Sequence, residues 1–266
     1  MSLAECPETN RICHLAALGF NIGCNGAHTA RTLMLDEIST LLSQLPRAED
    51  RNTFLEAILV KNILSKSTSS SRKRTFEHLV SLYVLDSRVP LFRLLRHFWR
   101  LDPSGRRLTV LVSARARDPL LQLGSDFLLR IPIGDVYDPA AFEDFIERTF
   151  PDRFSDKTRR SLAQNIASTF TQTGFFAGKF KKVRRQPKQS VGAVALSTAL
   201  GKLSGFSGIS LWESPWFQIL GLTPSTGDEL TREASRRGWI DYRRLGEVIS
   251  LSFRHLAEEL KIKELA

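Results

Sequence analysis

Three groups of side chains in this sequence have the types and spacing to do chemistry. Runs of lysine and arginine could grip phosphates, a cysteine–histidine set could hold a metal or activate a nucleophile, and a row of acids could hold magnesium. The basic residues gather in two windows. The first holds Lys66, Arg72, Lys73, Arg74, Arg88, Arg93, Arg96, Arg100, Arg106 and Arg107 against Glu77, Asp86 and Asp102. The second holds Arg153, Lys157, Arg159, Arg160, Lys179, Lys181, Lys182, Arg184, Arg185 and Lys188 against Asp156 alone. They carry net +7 and +9, so the rest of a chain with overall charge +10 is net acidic. Charge gathered this way is a local footprint for a polyanion rather than a uniform tint.

The other two groups carry less. Cys6, Cys13 and Cys24 lie near one end with His14 and His28, but they contain no C-x-x-C pair, and the spacing suits zinc poorly. An odd number of cysteines at one end cannot staple a chain of this size, which fits a reducing compartment. Cys24 with His28 lacks a third group to complete a nucleophilic site. Glu143, Asp144 and Glu147 share one amphipathic helix and read first as a solvated face. Phosphate loops, dinucleotide fingerprints, zinc-protease and nucleophile-elbow motifs are all missing from the sequence. No catalytic residue, metal or cofactor is therefore expected.

A length of 266 residues with 42% hydrophobic and 25% charged side chains suits a globular chain with a real core. The longest apolar run, Val191 to Leu200, is too short for a bilayer. The opening residues lack a basic and then apolar leader, so a cytoplasmic chain without membrane contact is expected. Leu33 to Leu45 has a helical rhythm, and Asp50 can cap a second helix to about Leu64. A Ser/Thr-rich turn follows, then a third helix from about Ser71 to Leu85 that begins with Arg72, Lys73 and Arg74. That layout suits a helix-turn-helix, with the start of the second helix facing phosphates; a surface connection between core helices fits as well. Val89 to Leu101 is amphipathic, with Arg93, Arg96 and Arg100 on one stripe, most simply a solvated face. Leu108 to Val112 reads as a short helix or strand.

The second window is more specific. Asp138-Pro139 opens a helix to about Phe150. Ser155 caps a long helix whose buried face is Leu162, Ile166 and Phe170, and Gly174 ends it. Phe175 to Pro187 is aromatic, β-prone and basic, interrupted by Gly178. Helix, turn, helix and a basic two-stranded flap is a winged-helix layout, with the long helix in the major groove and the wing on flanking phosphates. Pro224 to Arg237 and the hairpin Trp239 to Phe253, turning near Leu245-Gly246, repeat that rhythm with acids interspersed, and read as packing or a protein-contact module.

Four stretches resemble the BrxA family of bacterial BREX phage-defence systems. They are Gly19-Phe-Asn-Ile-Gly-Cys-Asn-Gly, Asn62 to Arg74, Phe154-Ser-Asp-Lys-Thr-Arg-Arg-Ser-Leu with Gln172-Thr-Gly-Phe-Phe, and Arg236-Arg-Gly-Trp-Ile-Asp-Tyr. Phe154 stands where the family's W-S-x-S-T-R-K-K-L helix start has Trp. The resemblance implies a small helical, DNA-binding protein of winged-helix character that works beside other BREX components, including a methyltransferase and an ATPase.

The resulting expectation is a mainly α protein with helix-turn-helix and winged-helix elements and short β-hairpins. Three parts are expected: a weakly ordered segment at 1–27, a helical domain at 28–135 and a winged-helix-like domain at 136–266. The expected function is non-catalytic binding of duplex DNA; a scaffold for acidic proteins and an RNA-binding protein are the alternatives. The candidate contacts in the first window are Lys66, Ser67, Thr68, Arg72, Lys73 and Arg74. On the long helix they are Lys157, Thr158, Arg159, Arg160 and Gln164. In the flap they are Lys179, Lys181, Lys182, Arg184, Arg185 and Lys188.

Overall fold

A computed structural model describes residues 7–246 and 248–266, with side chains from Arg11 onward. The described residues are mainly helical, with two antiparallel hairpins. The first half comprises α1 (Pro7–Leu18), α2 (Leu35–Gln44), α3 (Arg51–Leu59), α4 (Ser69–Tyr83), α5 (Pro90–Leu101), α6 (Arg106–Arg115) and α7 (Pro119–Leu128). Next come α8 (Pro139–Thr149), α9 (Asp156–Gln172) and the strands β1 (Phe176–Ala177) and β2 (Val183–Arg184). The remainder is α10 (Val191–Leu203), α11 (Ser210–Glu213), α12 (Pro215–Gln218), α13 (Pro224–Arg236), β3 (Asp241–Leu245), β4 (Val248–Ser252) and α14 (Arg254–Leu260).

Local chemistry sets the boundaries. Asp50 accepts the Thr53 N–H and starts α3, and Asp138 accepts the Ala140 N–H ahead of Pro139 to start α8. Ser155 caps α9, as expected. α3 ends at Leu59, short of the expected Leu64. Asn62 there turns left-handed, and its side-chain amide brackets the backbone N–H and carbonyl of Lys66 at 2.9 and 3.1 Å. Residues 108–112 are helical and buried within α6.

The apolar run from Val191 forms the central helix. α10 is buried on almost every side, and packs on α5, α6, α12 and α13. Its start is pinned by Asp102 from the end of α5, whose Oδ2 accepts the Ser190 hydroxyl at 2.8 Å and the Gly192 N–H at 2.9 Å. Gly105 allows this approach, since a Cβ there would lie 1.8 Å from Ser190 Oγ.

A single hydrophobic cluster joins residues from Leu18 to Leu265. The divisions expected at 27/28 and 135/136 therefore do not break the core. The segment expected to be weakly ordered contains α1, whose end is buried at Leu18 with Phe20 just after it, while most side chains from Arg11 to Ala17 are exposed. Its first six residues, Cys6 among them, lie outside the described residues.

Candidate nucleic-acid interface

The long basic helix sits in a more complete unit than the sequence suggests. β1 and β2 pair antiparallel, with Phe176 opposite Arg184 and Ala177 opposite Val183. A third extended segment lies against β2, where Val136 bridges to Val183. Arg184 N–H donates to the Asp135 carbonyl and Tyr137 N–H to the Lys182 carbonyl, each at 2.8 Å. The chain order is thus helix (α7), extended segment with a single bridge at Val136, helix (α8), helix (α9), then two strands, which is the order of a winged helix with its first strand reduced to one bridge. The unit begins at Pro119, well before the expected boundary at residue 136. Phe127, Tyr137, Phe142, Phe170 and Phe176 form its aromatic core.

Gly178 makes the tight wing possible. Its φ is +102°, and a Cβ would stand 2.1 Å from the Lys181 carbonyl oxygen. The wing then carries Phe180 into solvent at 92% exposure, with the Lys179 ammonium 5.4 Å from the ring centre. Lys181, Arg185 and Lys188 are exposed, and none of them pairs with a carboxylate among the described residues. On α9, Lys157, Arg160 and Gln164 are likewise exposed. Between wing and helix lies a cleft of about 560 Å³, floored by Ala163 and Ala167 and edged by Gln164, Phe180 and Lys181.

Other expected contacts are already engaged. Arg184 is corrected outright: it is 3% exposed, and its guanidinium packs 5.0 Å from the Phe175 ring centre while bonding the Arg185 carbonyl. Burial without an acid lowers its affinity for the proton, and it serves the wing's interior. Arg159 pairs with Glu147 and Asp156 and donates to the Phe154 carbonyl at 2.9 Å, so its charge is locally neutralised. Lys182 donates to Thr171 Oγ1 at 3.0 Å, and the Thr158 hydroxyl shares the Ser155 cap.

The first window divides in the same way. Lys66 pairs with Glu37 at 2.8 Å, and Arg72 donates to the Leu59 carbonyl at 2.7 Å, tying α4 to the end of α3. Thr68 and Ser71 form a reciprocal capping box, which occupies one of the N–H groups expected to face phosphate. Ser67, Lys73 and Arg74 remain exposed.

α12, α13, β3 and β4 form a second helix–hairpin unit with different electrostatics. Asp228 pairs with Arg232 and Arg244 and accepts the Tyr242 hydroxyl. Glu233 pairs with Arg236 and Arg237. The hairpin ends in exposed Leu245 and Val248.

His28 resolves the catalytic and metal alternatives at its position. Its Nδ1 lies 2.8 Å from Asp118 Oδ2 and its Nε2 2.9 Å from Thr169 Oγ1, all three side chains buried. Asp118 Oδ1 also accepts the Leu120 and Leu121 N–H groups, and Thr169 Oγ1 accepts the Leu33 N–H. Nδ1 faces the Asp118 carboxylate and Nε2 the Thr169 hydroxyl, so both ring nitrogens are engaged. The arrangement resembles a catalytic triad, but it is sealed in the core, where it joins residues 28–33 to α7 and α9. Neither nitrogen is available to a metal or to Cys24, which is exposed. Glu147 is taken by Arg159. Among the described residues, no group of three His, Cys, Asp or Glu side chains is arranged to hold a metal.

Sequence reasoning missed α7, the extended segment around Val136 and Phe180. The Asp118-Pro119 pair was a readable signal for α7, since it repeats the cap-plus-proline of Asp138-Pro139. No family model and no curated protein matches the chain. Among the described residues, no helix is long and apolar enough to cross a membrane.

Proposed function

We propose that this chain binds duplex DNA without catalysing a reaction, using the winged-helix unit from Pro119 to Lys188. In this reading α9 enters the major groove, with Arg160 and Gln164 toward the bases and Lys157 at the groove edge, while Lys181, Arg185 and Lys188 follow phosphates. The observation that carries it is the separation of charges within the unit. The cations that build the fold are buried or paired, whereas those on the outer helix face and wing have no acidic partner among the described residues. Lys73 and Arg74 at the start of α4 add a second phosphate contact. By its resemblance to the BrxA family, the protein acts in the cytoplasm as an accessory of a BREX-type phage-defence system. The apolar tip of the second hairpin then serves its methyltransferase or ATPase partners.

The test is fluorescence anisotropy with a labelled duplex of about 30 base pairs, its single strand and the matching RNA duplex, at low and physiological salt. Tighter, salt-sensitive binding of duplex DNA supports the proposal. Equal or better binding of RNA replaces the ligand. No binding at low salt overturns it and leaves the basic surface to acidic proteins.

A further inference from the structure

The arginine stripe of α5 lines a concavity rather than a convex solvated face. Pro46, Glu49 and Ser87 build one wall, and the start of α6 and Leu260 of α14 build another. Together with α5 they enclose a pocket of about 520 Å³. Four arginines converge on it, Arg93, Arg96, Arg100 and Arg106, and Glu49 is its one acid. The volume is that of an ordinary small-molecule site. None of these residues belongs to α4, α9 or the wing.

The four arginines divide into supports and free donors. Arg96 is fixed by the Ala48 carbonyl and the Ser87 hydroxyl, each at 2.6 Å, and by the Pro46 carbonyl. Arg106 donates to the Trp99 carbonyl at 3.1 Å, with its guanidinium 4.6 Å from the Trp99 ring centre. These bonds hold two positive charges at the pocket using neutral acceptors only. The Arg93 Nε is buried and finds no hydrogen-bond partner among the described residues. Arg100 is exposed and reaches only Glu259, at 3.7 Å. Desolvation lowers the proton affinity of both Arg93 and Arg96, and the carboxylates of Glu264 and Glu49 offset it only in part.

We infer that this pocket binds a small, multiply charged phosphorylated anion, pyrophosphate or the phosphate chain of a nucleotide, independently of DNA. Forked guanidinium donors around a concave site match phosphate oxygens in pairs. Pre-fixing Arg96 and Arg106 lowers the ordering penalty of binding, and Arg93 and Arg100 close on the anion. Leu42 and Leu260 supply an apolar margin on which the rest of the ligand can rest.

Titration calorimetry of the full chain with inorganic pyrophosphate and with ATP, at constant ionic strength, tests this. The expected result is saturable one-to-one binding of at least one of them, and a melting temperature raised by about 5 °C at a hundredfold excess over Kd. Arg93→Gln with Arg100→Gln should weaken that binding by about tenfold or more. The exposed Arg100→Glu should weaken it without loss of fold, and both variants should bind duplex DNA as the parent does. Three results would overturn the inference. One is the absence of saturable heat with both probes, and another is unchanged affinity in both variants. The third is displacement of pyrophosphate by duplex DNA, which would make the pocket part of the DNA surface. Failure of DNA binding alone would leave this site standing.

Discussion

The two helix–hairpin units use the same local devices and present opposite surfaces. α9 ends where Gly174 turns left-handed and the Phe175 N–H returns to the Phe170 carbonyl at 2.8 Å. α13 ends in the same way, with Gly238 left-handed and the Trp239 N–H bonded to the Ala234 carbonyl at 3.0 Å. In both, the helix is capped by a hydroxyl, from Ser155 or Thr223, and an antiparallel hairpin follows. The difference lies in the acids. Asp228 and Glu233 bind four arginines of the second unit, whereas Lys157, Arg160, Lys181 and Arg185 of the first meet no carboxylate among the described residues. Caps and glycines shape such a unit, and the placing of carboxylates decides whether its charge is offered to a partner.

The sharpest way to break that comparison is to remove the aspartate each unit depends on. Asp118→Ala leaves the His28 ring and several N–H groups without an acceptor in the core and removes the α7 cap. It should destabilise by about 3–5 kcal/mol. Asp228→Ala, at a partly exposed site among cations, should cost about 1 kcal/mol. Urea denaturation of both variants checks this. Similar losses would mean that the second unit is anchored as deeply as the first.

A smaller difference is expected at the two hairpin glycines. Gly178→Ala forces a Cβ against the Lys181 carbonyl as well as a left-handed φ, and should cost about 2 kcal/mol or more. Gly246 is also left-handed, but nothing stands within 4 Å of its added Cβ, so Gly246→Ala should cost about 1 kcal/mol. Thermal melts compare the two. A larger loss at Gly246 would sink the view that the wing is the more constrained turn.

These contrasts also mark what the sequence carried. Asp50, Asp138-Pro139, Ser155 and Gly174 announce helix ends because capping is local chemistry, written within four residues. The buried row Leu162, Ile166 and Phe170 was readable from period alone. The bridge at Val136 was not, because three extended residues carry no alternation and the partner β2 is far along the chain. Arg184 illustrates the same limit for a single side chain. In a basic run its type reads as a phosphate contact, and only the β1–β2 register turns it onto Phe175. The pocket at α5 was illegible for another reason: its arginines come from adjacent turns and α6, but its walls come from the 46–49 loop, Ser87 and α14.

The charge contrast itself can be tested at the level of binding. Lys181→Ala with Arg185→Ala removes two unpaired wing cations, and should weaken duplex binding by about tenfold near physiological salt and flatten the salt slope by about two. Arg232→Ala with Arg236→Ala removes as many formal charges from α13, but each is offset by a carboxylate. The expected change is less than about twofold. Anisotropy titrations over a salt series read both numbers. Equal losses would assign DNA contacts to both units.

The finest test sets Asp118 against Glu233 in acid. Burial works against the Asp118 carboxylate, but the charge and hydrogen bond of His28, with the Leu121 N–H, more than offset it, and the group lies below its ordinary 3.8. Bonding to the Arg237 guanidinium likewise holds Glu233 below its ordinary 4.5. Because each folded value is below the unfolded one, each contributes stability that is complete above the unfolded value and fades as pH falls through the folded one. Stability should therefore begin to drop below about pH 4.5 and fall further below about pH 3.8. Glu233 is partly exposed at the surface, and at about 1 M salt the screening length is only about 3 Å, so its share should vanish there. Asp118 is sealed from ions and should keep its share. In urea midpoints across this range, Glu233→Gln should differ from the parent only at low salt, and Asp118→Asn should flatten the acid limb at both salts. If high salt erased the Asp118 share as well, the His28–Asp118 pair would have to be open to solvent, and the deep anchor of the first unit would be lost as its distinction from the second.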